Sequence, residues 1–459
     1  VTTNLEPDRM HTPDQALVDV VLAYVTERLA IEDTPIDGFG DREEMRKALE
    51  GLIGPEPKDP AKVLGIYEKY LSETVLSADS PRFFGFIPAA PTKASLLFDM
   101  VVSAASLQGC SWLEAAGAVM AENQALRTMA DIAGMPQSAG GTFVSGGSAG
   151  NLSALVVARD TARARRTANG QPLYQLQVVV SDQAHSSIKN ALNIVDMGAI
   201  VIPTTDGCMT RENLEQGLAQ QDLSNVVAIV ATAGTTNAGI IDQLDAVAEA
   251  AEAHGWWFHV DGAYGGAGML DPKKRDMYTG IERADSLVMD PHKWWFAPFD
   301  SAALIYKDPH LAKAVHTQDA SYLDVIHAGD LTEFNPSDLA FHLTRRARGM
   351  ALWFSLAVNG LDAYRDAVVA GNMMARYAAD QIKAHPDLEL IREPDLSVVL
   401  FRREGWNAEN YDKWSADLLA QQVAFVTSST WHGETVGRLV FLHPATTRAM
   451  VDEVLAALD

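Results

Sequence analysis

Short apolar runs closed by turn residues recur along the middle of the chain, at residues 177–181, 199–203, 226–232, 256–260, 286–289 and 302–306. Runs of that length beside turn residues predict buried strands. Between several of them apolar positions return at helical spacing, as over residues 242–254. Strands alternating with helices predict a mainly parallel α/β sheet covered on both faces. A long helical pattern opens near Arg345 and runs through Trp353 and Leu356. Beyond residue 371 the pattern changes to a smaller α+β unit, with strands expected at residues 397–402 and 438–442. No internal repeat or low-complexity segment interrupts this order.

The N-terminal part is different. Leu17, Val21, Tyr24, Val25 and Leu29 form one apolar stripe of a helix expected over residues 13–30. Thr12 is placed to cap it, Pro13 suits the first helical position and Gln15 completes a capping box. The stripe can pack on a partner subunit or on its own chain. Prolines at 55, 57 and 60 precede a second helix. The stretch Ser80-Pro81-Arg82-Phe83-Phe84-Gly85-Phe86-Ile87-Pro88-Ala89-Ala90-Pro91 cannot form a regular helix. It reads either as a pocket wall or as a buried linker. These shifts divide the chain into residues 1–91, a helical and dimer-associated segment, residues 92–370, a large domain, and residues 371–459, a small C-terminal domain.

Composition narrows the partners. With 459 residues, 47% apolar and 21% charged, the chain has material for more than one packed core. A formal net charge of −24 argues against nucleic acid and anionic membrane surfaces, both of which would repel it. The two cysteines, Cys110 and Cys208, have no metal-ligand spacing and cannot build a disulfide framework. A reducing, cytoplasmic setting is expected. Residues 1–10 carry charges and a proline where a signal peptide needs an apolar core. No apolar run approaches the roughly 20 residues of a membrane span.

Candidate chemistry clusters just after the predicted strands, where open α/β sheets place ligands. Asp261 follows the run ending at Val260, within His259-Val260-Asp261-Gly262-Ala263-Tyr264. Lys293 follows the run ending at Met289, within Asp290-Pro291-His292-Lys293-Trp294-Trp295. A lysine there can form a Schiff base, and an aspartate can hold a protonated ring nitrogen; pyridoxal phosphate chemistry needs both. Standing alone, the two also read as a buried ion pair. The glycine-rich stretch from Gly140 through Gly146-Gly147-Ser148-Ala149-Gly150 leads into a helical pattern. Its spacing is neither a Walker loop nor a dinucleotide fingerprint. By itself it reads as a tight turn; beside Asp261 and Lys293 it reads as a phosphate cradle at a helix start. His185, in Ser181-Asp182-Gln183-Ala184-His185-Ser186-Ser187, can be a structural histidine or can stack on a planar cofactor. Thr232, in Ala231-Thr232-Ala233-Gly234-Thr235-Thr236, can bond a ligand or its own turn.

Taken in order, these motifs resemble those of the group II pyridoxal-phosphate-dependent amino-acid decarboxylases, which include the aromatic-L-amino-acid, tyrosine, glutamate and diaminobutyrate decarboxylases. The resemblance runs from Ser80 to the C-terminus and is nearest to the aromatic-amino-acid members, through Ser181 to Ser187 and the Phe83-Phe84 stretch. It implies an aspartate-aminotransferase-like fold of the pyridoxal-phosphate-dependent transferases and a homodimer with its active site at the interface. It also implies roles. Lys293 carries the cofactor as a Schiff base. Asp261 pairs with the ring nitrogen and keeps it protonated. His185 stacks on one ring face and orients the substrate carboxylate, while Ala263 packs on the other face. Gly147 and Ser148 bind the phosphate with His292 and Asp290 close by, and Thr232 contacts the cofactor. Phe84, Phe86, Ile87, Pro88, Ala89, Gln108 and Cys110 line the substrate pocket.

Two departures from the family pattern bear on the reaction. Aromatic decarboxylases carry a loop tyrosine credited with reprotonating the substrate carbon. Counting back from Arg345-Arg346, its position falls near Pro336. No tyrosine lies between Leu323 and Arg345, and Tyr322 is the nearest. Within the family, loss of that tyrosine is associated with oxidation to an aldehyde, whereas the retained His185 counts against it. Ala89 stands where aromatic decarboxylases have a threonine, and Gln108 and Cys110 replace bulkier apolar residues. Arg82 and Lys93 flank the aromatic stretch as carboxylate receptors or as surface charges. A loop over about residues 324–337, with Gly329 as hinge, is expected to close over substrate.

The expected activity is therefore decarboxylation of an L-amino acid, aromatic by preference, to the amine. The alternatives are oxidative decarboxylation–deamination to an aldehyde, decarboxylation of an acidic or diamino acid, and, more remotely, an inactive dimeric scaffold.

Overall fold

The computed structural model describes residues 9–12, 14–88, 90–318, 320–327 and 333–458, without the side chains of Arg9, Tyr322, Asp324 and His327. Its larger sheet has seven strands: β1 (Gly140–Val144), β2 (Gln177–Ser181), β3 (Gly198–Ile202), β4 (Val226–Thr232), β5 (Trp257–Asp261), β6 (Ser286–Met289) and β7 (Ala302–Tyr306). The spatial order is β1-β7-β6-β5-β4-β2-β3. Neighbours from β3 through β6 pair in parallel, and β7 runs antiparallel to both β6 and β1. This is the mainly parallel sheet predicted from the alternation.

Both faces are covered, which is why β4, Val-Val-Ala-Ile-Val-Ala-Thr, is buried at every position. On one face Ala154, Leu155 and Ala158 of the helix Gly147–Ala168 pack over Val178, Val230 and Val288. On the other, Leu126 and Met129 of Trp112–Ile132 and Val247 and Ala251 of Leu244–His254 pack over Phe143, Ile229, Val260 and Leu287.

Strand β1 was legible only as part of a glycine-rich turn. Gly141 explains its place in the sheet: a Cβ there would lie 1.8 Å from the Leu304 carbonyl oxygen on β7. Close backbone approach, and not β propensity, selects the residue.

A second sheet, ordered β10-β11-β9-β8 and antiparallel, is built from β8 (Leu388–Leu390), β9 (Val398–Arg403), β10 (Thr427–Trp431) and β11 (Glu434–Val440). The pattern anticipated β9 and part of β11 but neither β8 nor β10. The 35-residue helix Met350–Ala384, broken in conformation at Gly360, passes through the expected boundary at residues 370/371. Residues 82–85 also reach into the small unit. The Phe84 amide donates to the Phe425 carbonyl at 2.8 Å, and the Val440 amide donates to the Phe84 carbonyl at 3.1 Å.

The first helix is Gln15–Ala30, capped by Asp14, whose carboxylate accepts the Leu17 amide at 3.1 Å. Thr12 is therefore not the cap; Asp14 already satisfies the free amide. Pro13 lies outside the described residues. Leu17, Val18, Val21 and Leu22 are exposed on this helix. Among the described residues no helix is long and apolar enough to cross a membrane.

Candidate active site

The carboxyl ends of β2, β4, β5 and β6 converge on a cavity of about 400 Å³ lined by Ser148, His185, Thr232, Asp261, Asp290 and Lys293, among others. Thr232 and Asp261 are register partners at the last positions of β4 and β5. Asp290 directly follows β6, and Lys293 lies one turn beyond it. The parallel sheet thus brings together residues as far apart in the chain as His185 and Lys293, at the edge where such sheets bind ligands.

Asp261 is 5% exposed. One of its oxygens accepts the Asn151 side-chain amide at 2.9 Å and the other accepts the Ala263 backbone N–H at 3.1 Å. Asn151, 1% exposed, organises what surrounds it. Its Nδ2 also donates to Ser187 Oγ at 3.0 Å, and its Oδ1 accepts from His259 Nε2 at 2.9 Å. His259 Nδ1 lies 2.8 Å from Ser286 Oγ, which accepts the Trp257 indole N–H at 2.8 Å.

Donor counting sets the directions. With its Nε2–H given to Asn151, the neutral His259 accepts the Ser286 hydroxyl at Nδ1. Burial pushes the His259 pKa down to about 4, partly opposed by the Asp261 charge. The imidazole is therefore neutral near pH 7 and can play both parts.

His185 caps the helix Ser186–Ile194, accepting the Ser187 backbone N–H at Nδ1 (3.2 Å). Its Nδ1 is also 2.8 Å from Ser187 Oγ. A nitrogen that accepts a backbone N–H has no proton of its own, so Nε2 is the protonated nitrogen of a ring that lines the cavity. One network thus ties the buried Asp261 carboxylate and the exposed His185 ring to a single asparagine.

At the other end of the cavity the helix Gly147–Ala168 begins at Gly146 with no side-chain cap. The Gly147 N–H donates to Asp290 Oδ2 at 3.2 Å. A Cβ at Gly147 would stand 3.0 Å from that oxygen and 3.1 Å from the Ala263 Cβ, so a larger residue would crowd both and have to push them back by a few tenths of an ångström. Lys293 Nζ and His292 Nε2 lie 3.2 and 3.4 Å from the same Asp290 oxygen. His292 accepts the Ser301 N–H at Nδ1 (3.0 Å), and burial lowers its pKa. Ser148 is exposed and lines the cavity. The Thr232 backbone is held by Asp242, which accepts the Thr232 and Met209 amides, each at 2.7 Å. Burial pushes that carboxyl up to about 7.

The pocket residues divide. Phe86, Ile87 and Pro88 line a wider mouth shared with His185, His292 and Lys293, together with Phe299 and Arg438. Phe84 does not: its backbone is paired on both sides, and its ring turns into the small unit's core, 5.3 Å from the Phe441 ring. Gln108 and Cys110 also lie outside the cavity within a single chain, because Glu114 takes both, Gln108 Nε2 and Cys110 Sγ each at 2.5 Å. Ala89 lies outside the described residues. Arg82 pairs with Glu453, and Lys93 donates to the Leu29 carbonyl, so neither serves the cavity.

In the expected loop, residues 328–332, with Gly329, and the Tyr322 side chain are outside the described residues. Its far end is docked. Pro336, Ser337 and Asp338 form a buried turn, with the Ser337 N–H on the Cys110 carbonyl at 3.0 Å and Asn335 Oδ1 accepting the Trp112 N–H at 2.9 Å.

Two residues of weight were missed from sequence. Asn151 left a signal, a polar residue on the face of its helix that carries Leu155 and Ala158 into the core. Arg438 left none. It is 5% exposed and donates to the carbonyls of Gly85, Thr236 and Asn237. Among the described residues no carboxylate pairs with it, and burial pushes its pKa down to about 10.

Residues 43–404 match the family described as "Pyridoxal-dependent decarboxylase conserved domain". The chain is 28% identical over 407 residues to an aromatic-L-amino-acid decarboxylase of Bacillus atrophaeus, covering 87% of this chain and 82% of that one. It is 29% identical over 396 residues to an L-2,4-diaminobutyrate decarboxylase of Acinetobacter baumannii, covering 81% and 77%. Its fold superposes with a TM-score of 0.88 on the crystal structure of an Oryza sativa TDC with PLP and tryptamine, over 100% of this chain and 98% of that chain at 23% identity.

Proposed function

The chain belongs to the pyridoxal-dependent decarboxylase family, and we propose that it removes the α-carboxylate of an L-amino acid as CO₂, an aromatic amino acid being the favoured substrate. The observation that carries this reading is the convergence of Lys293, Asp261, His185 and an uncapped helix start on one cavity. That donor set fits pyridoxal 5′-phosphate. Lys293 offers a primary amine to an aldehyde, Asp261 a buried carboxylate to a ring nitrogen, and Gly147 and Ser148 a helix start to a phosphate. When bound, the cofactor supplies a protonated ring that accepts the electron pair left as CO₂ departs.

The protein's own residues then have separable tasks. Asp261 holds the ring proton, and Asn151 and the Ala263 amide hold Asp261 in one orientation. His185, which lines the cavity, would offer its Nε2–H to the substrate's leaving carboxylate, a positioning effect that can reach several kcal/mol. Arg438 adds a buried positive charge at the mouth, which attracts an anionic substrate group. Phe86, Ile87, Pro88 and Phe299 make that mouth apolar, which supports an aromatic side chain over a charged one. Exposed Leu17, Val21 and Leu22 on the first helix support a homodimer.

A second reading is kept alive by the turn at Pro336, the position matched to the family's loop tyrosine. It is buried against residues 110–112 and offers no phenol to reprotonate the substrate carbon. Without that proton, oxidation by dissolved O₂ competes, O₂ taking two electrons to become peroxide and water releasing the aldehyde and ammonia. Incubation with the common L-amino acids, measuring CO₂, amine, aldehyde and peroxide, tests both. Amine in step with CO₂ supports decarboxylation; aldehyde with peroxide and ammonia in step with CO₂ replaces it with the second reading.

A further inference from the structure

We propose that Asp290 and the cofactor's phosphate together take up one proton that the free protein does not hold, so that Asp290 meets the phosphate as a hydrogen-bond donor. This rests on the pyridoxal-phosphate reading of the cavity. The motivating conflict is spatial. Asp290 is 1% exposed and its Oδ2 occupies the Gly147 N–H, the first amide of the helix start assigned to the phosphate. Its Oδ1 is buried with no hydrogen-bond partner among the described residues. A carboxylate and a phosphate dianion on the same amide repel, and the screening that would relieve them is weak in a buried site.

The neighbouring groups leave one place for the proton. Lys293 Nζ, 3.2 Å from Oδ2, neutralises Asp290 in the free protein. Where its nitrogen holds the cofactor's aldehyde, it would no longer be a free ammonium on that oxygen. His292 faces the same oxygen with Nε2, but its Nδ1 already accepts the Ser301 amide; a second proton would break that bond, and burial disfavours the cation. Asp300, on the far side of His292, is paired with Arg348. Asp261 and His185 line the cavity but are tied to Asn151, Ala263 and Ser187. The proton therefore comes from solvent and bridges Asp290 and a phosphate oxygen, COO⁻ and P–O⁻ becoming COOH···⁻O–P. The count is one whichever of the two groups holds it.

The test uses full-length Lys293→Ala protein, which withdraws the ammonium from Asp290 and forms no covalent bond, with and without Asp290→Asn. Pyridoxine 5′-phosphate is titrated calorimetrically near pH 8 in buffers of different ionisation enthalpy, above the phosphate's second pKa of about 6. With Asp290 present, binding should take up about one proton more than in the Asp290→Asn protein. Its affinity should also fall about tenfold more steeply per pH unit. The amide keeps an acceptor for Gly147 and can donate to phosphate without a proton, so the Asp290→Asn protein should bind more tightly at high pH. Equal proton counts and parallel pH slopes in the two proteins overturn the proposal while leaving the cofactor reading intact. Failure of the probe to bind either protein overturns both.

Discussion

Replacing Asn151 by leucine, similar in branching though bulkier and without donors or acceptors, removes the hub that sets both Asp261 and His185. Three groups lose a partner: Asp261 Oδ2, the His259 Nε2–H and Ser187 Oγ. Ser187 keeps His185 as a partner, so its loss is small. A buried N–H without an acceptor costs about 1–3 kcal/mol, and a lost hydrogen bond to a carboxylate about 1.5–3 kcal/mol. The Asn151→Leu protein should therefore be less stable by about 3–6 kcal/mol in chemical denaturation, an upper range because side chains relax. The catalytic effect is separable. If the Asn151 bond to Asp261 is needed only when the ring must stay protonated, its loss should lower kcat by roughly 10–100-fold, at about 1.4 kcal/mol per factor of ten. KM should change less than kcat, because His185 keeps its own bonds to Ser187. The assay is steady-state kinetics at saturating cofactor, beside the pH dependence of the bound cofactor's absorbance, which a purely structural role would leave in place. Wild-type kcat with an unshifted pH profile in a stably folded Asn151→Leu protein would falsify the network's role.

Further predictions follow from the same geometry. Lys293→Ala should lose the visible absorbance of lysine-bound cofactor and reduce turnover by at least about 10³-fold, a loss on the scale seen when a covalent catalytic residue is removed; near-normal activity would remove Lys293 from its assigned role. Arg345→Met should destabilise the fold by about 3–5 kcal/mol, because it leaves the Glu122 carboxylate buried without its cation. A denaturation midpoint equal to wild type would show that Glu122 finds another partner. Burial depresses the His259 pKa from 6.5 to about 4 in the fold, so the unfolded chain binds this proton more tightly. The stability this histidine contributes is complete above about pH 6.5 and is lost as pH falls toward 4. His259→Gln should flatten that acid limb by about 1–3 kcal/mol, and an unchanged limb would assign acid sensitivity to other groups. Arg438→Gln should raise KM for the amino acid more than it lowers kcat, and the reverse split would place Arg438 in the chemical step.

How much of this was legible before the structure depends on the length scale of each feature. Periods of two and 3.6 residues are local, so several helices and most strands of the larger sheet could be read directly, and with them the strand ends that carry Asp261 and Lys293. Asp14 in place of Thr12 as first cap is a local error of two residues. Phe84 shows a different limit. Its neighbours Phe86, Ile87 and Pro88 line the mouth, but backbone pairing with residues 425 and 440 turns the Phe84 ring away. Nothing within the stretch itself reports that pairing. Gln108 and Cys110 were likewise separated from the cavity by Glu114, a contact set by the turn into the helix Trp112–Ile132.

The sequence by itself determined most strands of the larger sheet and the family, and it singled out Lys293, Asp261 and His185 as candidates, because ordered short motifs survive without knowledge of contacts. Tertiary structure alone decided which of these groups share partners. Asn151, Asp261 and His185 lie far apart in the chain, and the hydrogen bonds that join them exist because parallel strands end beside the face of one helix. It likewise decided that Asp290 sits on the first amide of the helix at Gly147, and that Arg438 reaches the mouth from the last strand of the small sheet. Burial, the quantity that moves pKa values and makes an unpaired polar atom costly, belongs to the packed molecule and has no counterpart along the chain.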